Sequence, residues 1–254
     1  MRSKVRPFTV LLLLSAAVLL LLEIIRPAYT SDPLRNEMIQ TIITRAVGAL
    51  LFFFLIRQNG TAVFGITKNP RALLCALPAL AVAVNNAPII GLVSGAARLR
   101  AGFTDILLYA GMSVSVGLFE ELTFRGFLFP LILSKYRHRS VFLPTILSCA
   151  VFAAVHLFNL FSGVSPAAVF LQVGYSFLIG GMCAVVLLKT HCIWLCVLLH
   201  SIYNFGGMLV PTLGSGKIWD AATIAVTAVL GTAVLCFYLR ILRRATSDEI
   251  KKIC

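Results

Sequence analysis

Residues 166–188 read PAAVFLQVGYSFLIGGMCAVVLL, a run without a charged side chain. A helix needs about 20 apolar residues to cross the hydrocarbon core of a bilayer, so this run is long enough to span a membrane. Because lipid offers no hydrogen bonds to a bare backbone, a spanning segment is expected to be helical. The stretch therefore predicts a membrane helix.

The rest of the chain repeats this pattern. It has 254 residues, of which 59% are hydrophobic and 12% charged, whereas soluble domains carry about 25% charged residues. We predict an all-α fold, a polytopic membrane bundle of about eight transmembrane helices that forms one domain over residues 1–254. The predicted spans are roughly 8–25, 38–56, 72–94, 102–134, 140–158, 166–188, 191–210 and 218–240.

Basic residues concentrate in the segments between the predicted spans. With the N-terminus placed inside, the inner segments hold 15 Lys and Arg residues and the outer segments hold 5. Since cytoplasmic loops carry the excess of basic residues, both termini are predicted to be cytoplasmic. The same topology accounts for the net charge of +13. We expect the bilayer as a partner and no nucleic acid, because no basic stripe with interleaved aromatic residues is present.

One short stretch inside a predicted span, Glu120-Glu121-Leu-Thr-Phe-Arg125, holds three ionisable side chains. Such groups are costly inside a membrane and commonly functional. At about 100° per residue, Glu121 and Arg125 lie on one helix face and can form an ion pair. Glu120 points away from both, so we predict that it is free to act as a general base. The structural alternative is a Glu–Arg pair beside a glutamate that faces water.

Two later spans carry histidines, in Phe152-Ala-Ala-Val-His156 and in His200-Ser-Ile-Tyr-Asn204. Each pattern alone is weak, because buried His and Asn can simply bond across helices. Glu120 lies 18 residues before position 138, in the predicted turn between two spans, and His156 lies 18 residues after it. Equal offsets in two antiparallel helices place both side chains at one depth. His200 is expected roughly 14 Å into its span.

Taken together, these stretches resemble the CAAX protease and bacteriocin-processing family, also called the ABI family of intramembrane endopeptidases. The family motifs are EExxxR, often extended as EExxFRG, followed by FxxxH and HxxxN, and all three are complete here and in family order. The resemblance covers roughly residues 100–210, the motif-bearing core. Residues 1–99 are N-terminal spans that carry no such motif.

The resemblance implies a helical bundle around a cavity that opens toward the cytoplasm, with catalytic side chains from all three motifs. Glu120 would activate the attacking water, and His156 would hold or polarise that water. His200 and Asn204 would complete the site by stabilising the oxyanion or by contacting a metal ion.

The sequence leaves the mechanism open between two versions. Glu120, His156 and His200 could hold Zn²⁺ with water in an open position. Glu120 could equally activate water without a metal, and we favour this version because the candidate ligands are loosely spaced and no cysteine is expected near them. In either version the Glu121–Arg125 ion pair would hold the first motif in place.

Two other functions fit a membrane protein of this kind. One is a non-catalytic immunity or partner-binding protein on the same fold, although such a protein has no need to bury Glu120. The other is a transporter or proton relay, which typically repeats its motifs in two halves of the chain, and no repeat is present. We predict an intramembrane endopeptidase that acts on a membrane-associated peptide or protein in a bacterial plasma membrane.

Overall fold

Helices make up most of the chain. The computed structural model describes residues 17–18, 20–22, 24–65, 67, 69–136, 140–219, 221–245 and 253. The helices bounded in this part are α1 (Pro33–Asn59), α2 (Pro70–Leu73), α3 (Ala76–Asn85), α4 (Ile89–Val93), α5 (Phe103–Glu121), α6 (Phe129–Lys135), α7 (Phe142–Ala154), α8 (Pro166–Thr190), α9 (Ile193–Leu213) and α10 (Ala221–Arg243). A π-helix (Leu122–Leu128) joins α5 to α6, and a 3-10 helix (Val155–Ser162) extends α7.

Five of these helices are long and apolar enough to cross a membrane: α1, α7 with its 3-10 extension, α8, α9 and α10. The prediction of a polytopic helical membrane protein is therefore confirmed. α8 is the most enclosed of the five, with 56% of its most apolar window buried, whereas α10 has 11% buried. α8 thus forms the centre of the bundle and α10 lies at its edge. The predicted span 8–25 falls largely outside the described residues.

Helices α1 and α8 begin with the same local signals. Asp32 accepts hydrogen bonds from the backbone N–H groups of Leu34 and Arg35, and Ser165 accepts one from that of Ala168. In each case a proline follows at the first helical position, where a missing N–H costs nothing. These caps fix the start of two spans that contribute to the core of the bundle.

The prediction of one continuous span over residues 72–94 is wrong, because this segment is divided into α2, α3 and α4. Pro88 has no N–H to donate and disfavours helical geometry in the preceding residue, so α3 cannot continue through it. The side chain of Asn85 donates to Thr227 Oγ1 at 2.9 Å, and that of Asn86 donates to the carbonyl of Tyr203 at 2.8 Å. The break therefore binds α3 to both α9 and α10.

The predicted span 102–134 is helical throughout, but its middle is not a regular α-helix. The π-helix begins directly after Glu121, and the N–H of Phe129 donates to the carbonyl of Phe124, five residues earlier. Such single-turn π segments are frequent at functional sites. Here the irregular turn contains Arg125 and follows both glutamates of the first motif.

The all-α prediction omitted one feature, a two-stranded antiparallel sheet. Strands β1 (Ala97–Leu99) and β2 (Gly214–Gly216) pair in the register Ala97 with Gly216 and Leu99 with Gly214. Gly216 has φ +114°, a conformation that residues with a side chain rarely adopt. Three-residue strands carry no detectable period in a sequence, so this pairing could not be predicted.

The loops that join the helices lie at two ends of the bundle, as the contacts between them show. The β1–β2 sheet lies at one end, where Arg35 also pairs with Asp105 at 2.6 Å between Nε and Oδ1. At the other end Phe64 bridges Cys192, and the N–H of Ala62 donates to the carbonyl of Ile253 at 3.0 Å. Helices α1, α8, α9 and α10 each run from one end to the other, and α5, the π-helix and α6 do so together.

Candidate active site

The end of α5 and the π-helix place two charged side chains in the interior. The side chains of Glu121 and Arg125 are 0% and 1% exposed, and Arg125 Nη1 lies 3.2 Å from Glu121 Oε1 in the predicted i,i+4 arrangement. The guanidinium also stacks 4.0 Å above the ring of Phe152 on α7. Gly180 on α8 makes room for it, since a Cβ there would lie 2.5 Å from Arg125 Nη2. Three helices thus enclose one ion pair.

His200 on α9 lies between the two adjacent glutamates. Its Nδ1 is 2.7 Å from Glu121 Oε1, and its Nε2 is 3.5 Å from Glu120 Oε2. A carboxylate oxygen can only accept, so Nδ1 is the donor of the short bond. Glu121 therefore fixes the ring of His200 and directs Nε2 toward Glu120. From the sequence, only the contact of Glu121 with Arg125 was predicted. The contact of Glu121 with His200 was not, and it joins residues 79 positions apart.

Glu120 differs from its neighbours in exposure. Its side chain is 21% exposed, whereas those of Glu121, Arg125 and His200 are 5% exposed or less. Within this cluster, Glu120 is the carboxylate that water or a peptide bond can reach.

The second motif joins the cluster through an aromatic ring. Phe152 meets the ring of His156 with centroids 5.2 Å apart and that of His200 with centroids 5.9 Å apart, both edge to face. Phe152 is 1% exposed, so its position is fixed by packing. The aromatic residue of FxxxH therefore contacts both histidines, and its face packs against the Arg125 guanidinium.

His156 has its own hydrogen bonds. Its Nδ1 is 3.0 Å from the carbonyl oxygen of Phe152, which can only accept, so Nδ1 carries a hydrogen. In a neutral ring Nε2 is then the acceptor, and it lies 3.5 Å from Ser176 Oγ on α8. Among the described residues, no hydrogen bond or ion pair joins His156 directly to Glu120. The sequence analysis did not identify Ser176.

Asn204 is held in place through its backbone carbonyl, which accepts a hydrogen bond from Tyr109. The hydroxyl of the buried Tyr109 on α5 donates to the carbonyl oxygens of Asn204 and Phe205, at 3.1 and 3.0 Å. Asn204 also lines a cavity of about 770 Å³ that lies beside the cluster. In the described part of the chain its side chain makes no hydrogen bond, so the amide is available to a ligand.

The predicted metal ligands do not come together as a set. His200 is close to Glu120, but His156 is bonded to Ser176 and to its own helix. In the described ranges, the three residues whose donor atoms all lie within 4.8 Å of one another are Glu121, Cys183 and Cys196. Zinc sites need donors about 2.0–2.3 Å from one ion, so Glu120, His156 and His200 do not fit Zn²⁺ in this arrangement.

Two cysteines lie beside Glu121 of the first motif, a residue that was not among the candidate metal ligands. Cys183 on α8 and Cys196 on α9 are buried against Glu121, and each thiol lies close to a carbonyl of the other residue. Arg125 sits beside the same group, which disfavours a cation there. These cysteines behave as small, polarisable packing residues around a buried charge pair.

Helices long enough to cross a bilayer, and a buried cluster of carboxylates and imidazoles between them, define a multi-pass membrane protein with an internal polar site. Residues 101–206 match the family model described as type II CAAX prenyl endopeptidase Rce1-like. This segment is therefore a domain of the CAAX protease family, and it contains all three motifs. No curated protein and no solved structure matches the chain.

Proposed function

We propose that the protein is an intramembrane endopeptidase in which Glu120 activates water to hydrolyse a peptide bond of a membrane-associated protein or peptide. The observation that carries the proposal is the arrangement of Glu120: a partly exposed carboxylate beside an imidazole that a second, fully buried carboxylate holds in place. A general base must be reachable by water and correctly oriented. The match to a family of prenyl endopeptidases supports the same reaction.

The reaction follows from this arrangement. Glu120 accepts a proton from water while the water oxygen bonds to the scissile carbonyl carbon. The side-chain amide of Asn204 donates to the oxyanion that forms. His200, whose Nδ1–H donates to Glu121, accepts from the water through Nε2. His156 acts on the water through the hydroxyl of Ser176, which donates to His156 Nε2. When the carbon–nitrogen bond breaks, Glu120 returns the proton to the leaving amine. Glu121 and Arg125 take no part in bond making and act by orienting His200.

The metal-free version of the mechanism is proposed on the basis of the ligand geometry. A zinc-bound water requires three protein ligands around one ion, and His156 is held by Ser176 and its own helix rather than beside Glu120 and His200. In this version every proton transfer uses groups of the chain itself.

The topology completes the proposal. We infer eight membrane crossings, one of them made by the broken segment α2–α4, with both termini on the cytoplasmic side of a bacterial plasma membrane. The Arg243 end of α10 and the loop after α1 belong to one end of the bundle, because the Tyr238 hydroxyl donates to the carbonyl of Cys75 and the N–H of Ala62 donates to that of Ile253. This end holds most of the basic residues at the described helix ends. The positive-inside rule assigns that end to the cytoplasm.

Cleavage by the full-length chain in liposomes tests the function. The probes are a library of membrane-anchored peptides, including a farnesylated peptide with a CAAX terminus, and mass spectrometry detects the products. We expect Glu120→Gln to lower the rate by about 10²–10⁴-fold, the usual contribution of general acid–base catalysis. Glu37→Gln is the matched control, because Glu37 is an exposed glutamate on α1. Full activity in Glu120→Gln would contradict the proposal.

A chelator separates the two mechanisms. Treatment of the purified protein with a strong zinc chelator is expected to leave the cleavage rate unchanged, because no step uses a metal. Loss of activity on chelation, with recovery on addition of Zn²⁺ alone, would replace the metal-free mechanism by the zinc version.

A further inference from the structure

A cavity of about 770 Å³ lies between α10 and helices α3, α7, α8 and α9. It follows α10 from Ile224 to Leu242, near the end of the helix, which is roughly 30 Å at 1.5 Å per residue. α10 is the least buried of the candidate spans and forms the outer wall. Asn204, one of the predicted catalytic residues, also lines the cavity. The cavity thus extends from Asn204 to the lipid-facing edge of the bundle.

The size of the cavity limits what it can hold. Its volume of about 770 Å³ lies within the usual range of ligand sites, about 300–1,000 Å³. A narrow chain that lies along α10 fits this volume.

The lining of the cavity distinguishes a peptide from a hydrocarbon chain. Most lining residues are aliphatic or aromatic, but eight carry amide or hydroxyl groups: Asn85, Asn86, Thr145, Tyr175, Tyr203, Asn204, Thr227 and Tyr238. A hydrocarbon chain offers these groups nothing to bond and excludes water from them, which is unfavourable. An extended peptide has the opposite need, because its backbone N–H and C=O groups require partners where no water is present.

Asn85 and Asn86, at the break after α3, offer hydrogen-bond acceptors to the backbone of a bound peptide. Each uses its side-chain nitrogen as a donor, Asn85 toward Thr227 and Asn86 toward the carbonyl of Tyr203. In the part of the chain that the structure describes, the side-chain oxygens of both residues accept no hydrogen bond. They can accept from the N–H groups of a bound peptide. With Asn204 they form polar positions in an otherwise apolar wall.

We propose that the cavity binds the substrate as an extended, apolar peptide segment that runs along α10 and reaches Asn204. This inference rests on the proposed function and adds the substrate class: a hydrophobic stretch of polypeptide, unwound from its helix, whose side chains pack against α8 and α10. Local unwinding is what a protease needs, since a peptide bond inside a helix has its carbonyl hydrogen-bonded. The cavity would supply the hydrogen bonds that the unwound segment loses.

Gly231 on α10 provides a sharp test, because it lines the cavity and an added Cβ would have no atom within 4 Å. Gly231→Phe fills the cavity without a clash at the point of attachment. Gly174→Phe is the matched control, since Gly174 on α8 also has open space around it and does not line the cavity. Gly231→Ala reports on the loss of the glycine alone, and Ala228→Phe fills the same cavity from one turn earlier.

Two photoreactive probes identify the occupant in liposomes that contain the full-length chain. One is an apolar peptide of about nine residues, the number that extends over roughly 30 Å, and the other is a long-chain fatty acid with the same photolabel. We expect the peptide to label α8, α9 and α10 around the cavity. Gly231→Phe and Ala228→Phe should lower this labelling by about tenfold or more, whereas Gly174→Phe and Gly231→Ala should leave it unchanged.

Other outcomes would overturn the inference. Peptide labelling that persists in both filled variants would show that the peptide binds elsewhere. Fatty-acid labelling at α8 to α10 that is lost in the filled variants, while peptide labelling is retained, would assign the cavity to lipid. The measurement is made in the Glu120→Gln chain as well, where binding is expected to equal that of the wild type. Failure of the cavity proposal is thereby distinguished from failure of the catalytic one.

Discussion

Glu121 is the residue on which the buried cluster depends. One of its oxygens is shared by Arg125 and His200, at 3.2 and 2.7 Å. Removing one partner of a buried ion pair leaves the other charge uncompensated, and this typically costs about 3–5 kcal/mol. Replacing both partners by apolar groups is often far less costly. Glu121 therefore affects both the stability of the bundle and the orientation of His200.

We expect Glu121→Gln to lower the free energy of unfolding by about 3–5 kcal/mol, because Arg125 then lies in the interior without a counter-charge. The double variant Glu121→Gln with Arg125→Met should be more stable than Glu121→Gln alone. Thermal unfolding in detergent, followed by light scattering and circular dichroism, measures both. A double variant that loses as much stability as the sum of the two single variants would contradict this coupling.

Ser176 is predicted to position His156, because its hydroxyl donates to the ring nitrogen that faces the site. A single neutral hydrogen bond contributes about 0.5–1.5 kcal/mol, so Ser176→Ala should lower kcat by about two- to tenfold with KM nearly unchanged. Ser176→Thr retains the hydroxyl and should restore kcat. The control is Ser113→Ala, since Ser113 is equally buried but donates only to its own helix, at the carbonyl of Tyr109. A change in KM alone would assign Ser176 to substrate binding.

At the residue scale, the sequence predicted what helix periodicity determines and little beyond it. The Glu121–Arg125 pair follows from an i,i+4 spacing on one helix, and it was predicted correctly. The contact between Glu121 and His200 depends on how α5 and α9 pack, which no local pattern records. For the same reason Ser176, on a helix without a motif, was missed.

At the scale of elements, α5 and α9 approach each other closely at Gly117. A Cβ at this position would lie 2.6 Å from Ser201 Oγ and 3.1 Å from the backbone nitrogen of Ser201, which cannot rotate away. Ser201 follows His200 directly, so the same contact sets the position of the histidine. The glycine therefore serves close packing, at a cost in helix propensity of about 1 kcal/mol relative to alanine.

Gly117→Ala and Gly111→Ala are expected to have opposite effects on stability, although both glycines lie on α5. At Gly117 overpacking against Ser201 should cost about 1–3 kcal/mol and exceed the gain in propensity. At Gly111 the new methyl would lie 3.5 Å from Ile42 Cδ1, an ordinary contact, so the gain in propensity should prevail. Melting temperatures of the two purified variants decide this, and an equal stabilisation of both would contradict the close approach.

The irregular elements mark the limit of hydropathy as a guide. An apolar run predicts a helix, and α8, α9 and α10 agree with their predicted spans within a few residues. The same reasoning predicted one helix over residues 72–94, where three short ones occur, and it did not predict the π-helix after Glu121. Hydrophobicity reports the environment of a segment, whereas prolines and tertiary hydrogen bonds determine where its helix breaks.

At the scale of the whole molecule, the two ends of the bundle differ in charge. The end that contains the β1–β2 sheet carries Arg98, Arg100 and Lys217, and the ion pair of Arg35 with Asp105. The opposite end carries more basic residues in its described part alone: Arg57, Arg71, Lys135, Lys189, Arg240, Arg243 and Arg244. From the packing of the helices and the positive-inside rule, we propose the orientation in which the second end is cytoplasmic.

Protease sites inserted into two exposed turns test this orientation. The turn at Gly95 lies at the end with the sheet, and the turn at Gly60 lies at the other end; both glycines adopt positive φ in exposed connections, where insertions are best tolerated. In intact spheroplasts an added protease should cut the chain at Gly95 and not at Gly60. After permeabilisation it should cut at both. Because α1 separates Gly60 from residue 33 by a full span, cleavage at Gly60 alone in intact cells would show the opposite orientation of the bundle and contradict the proposal.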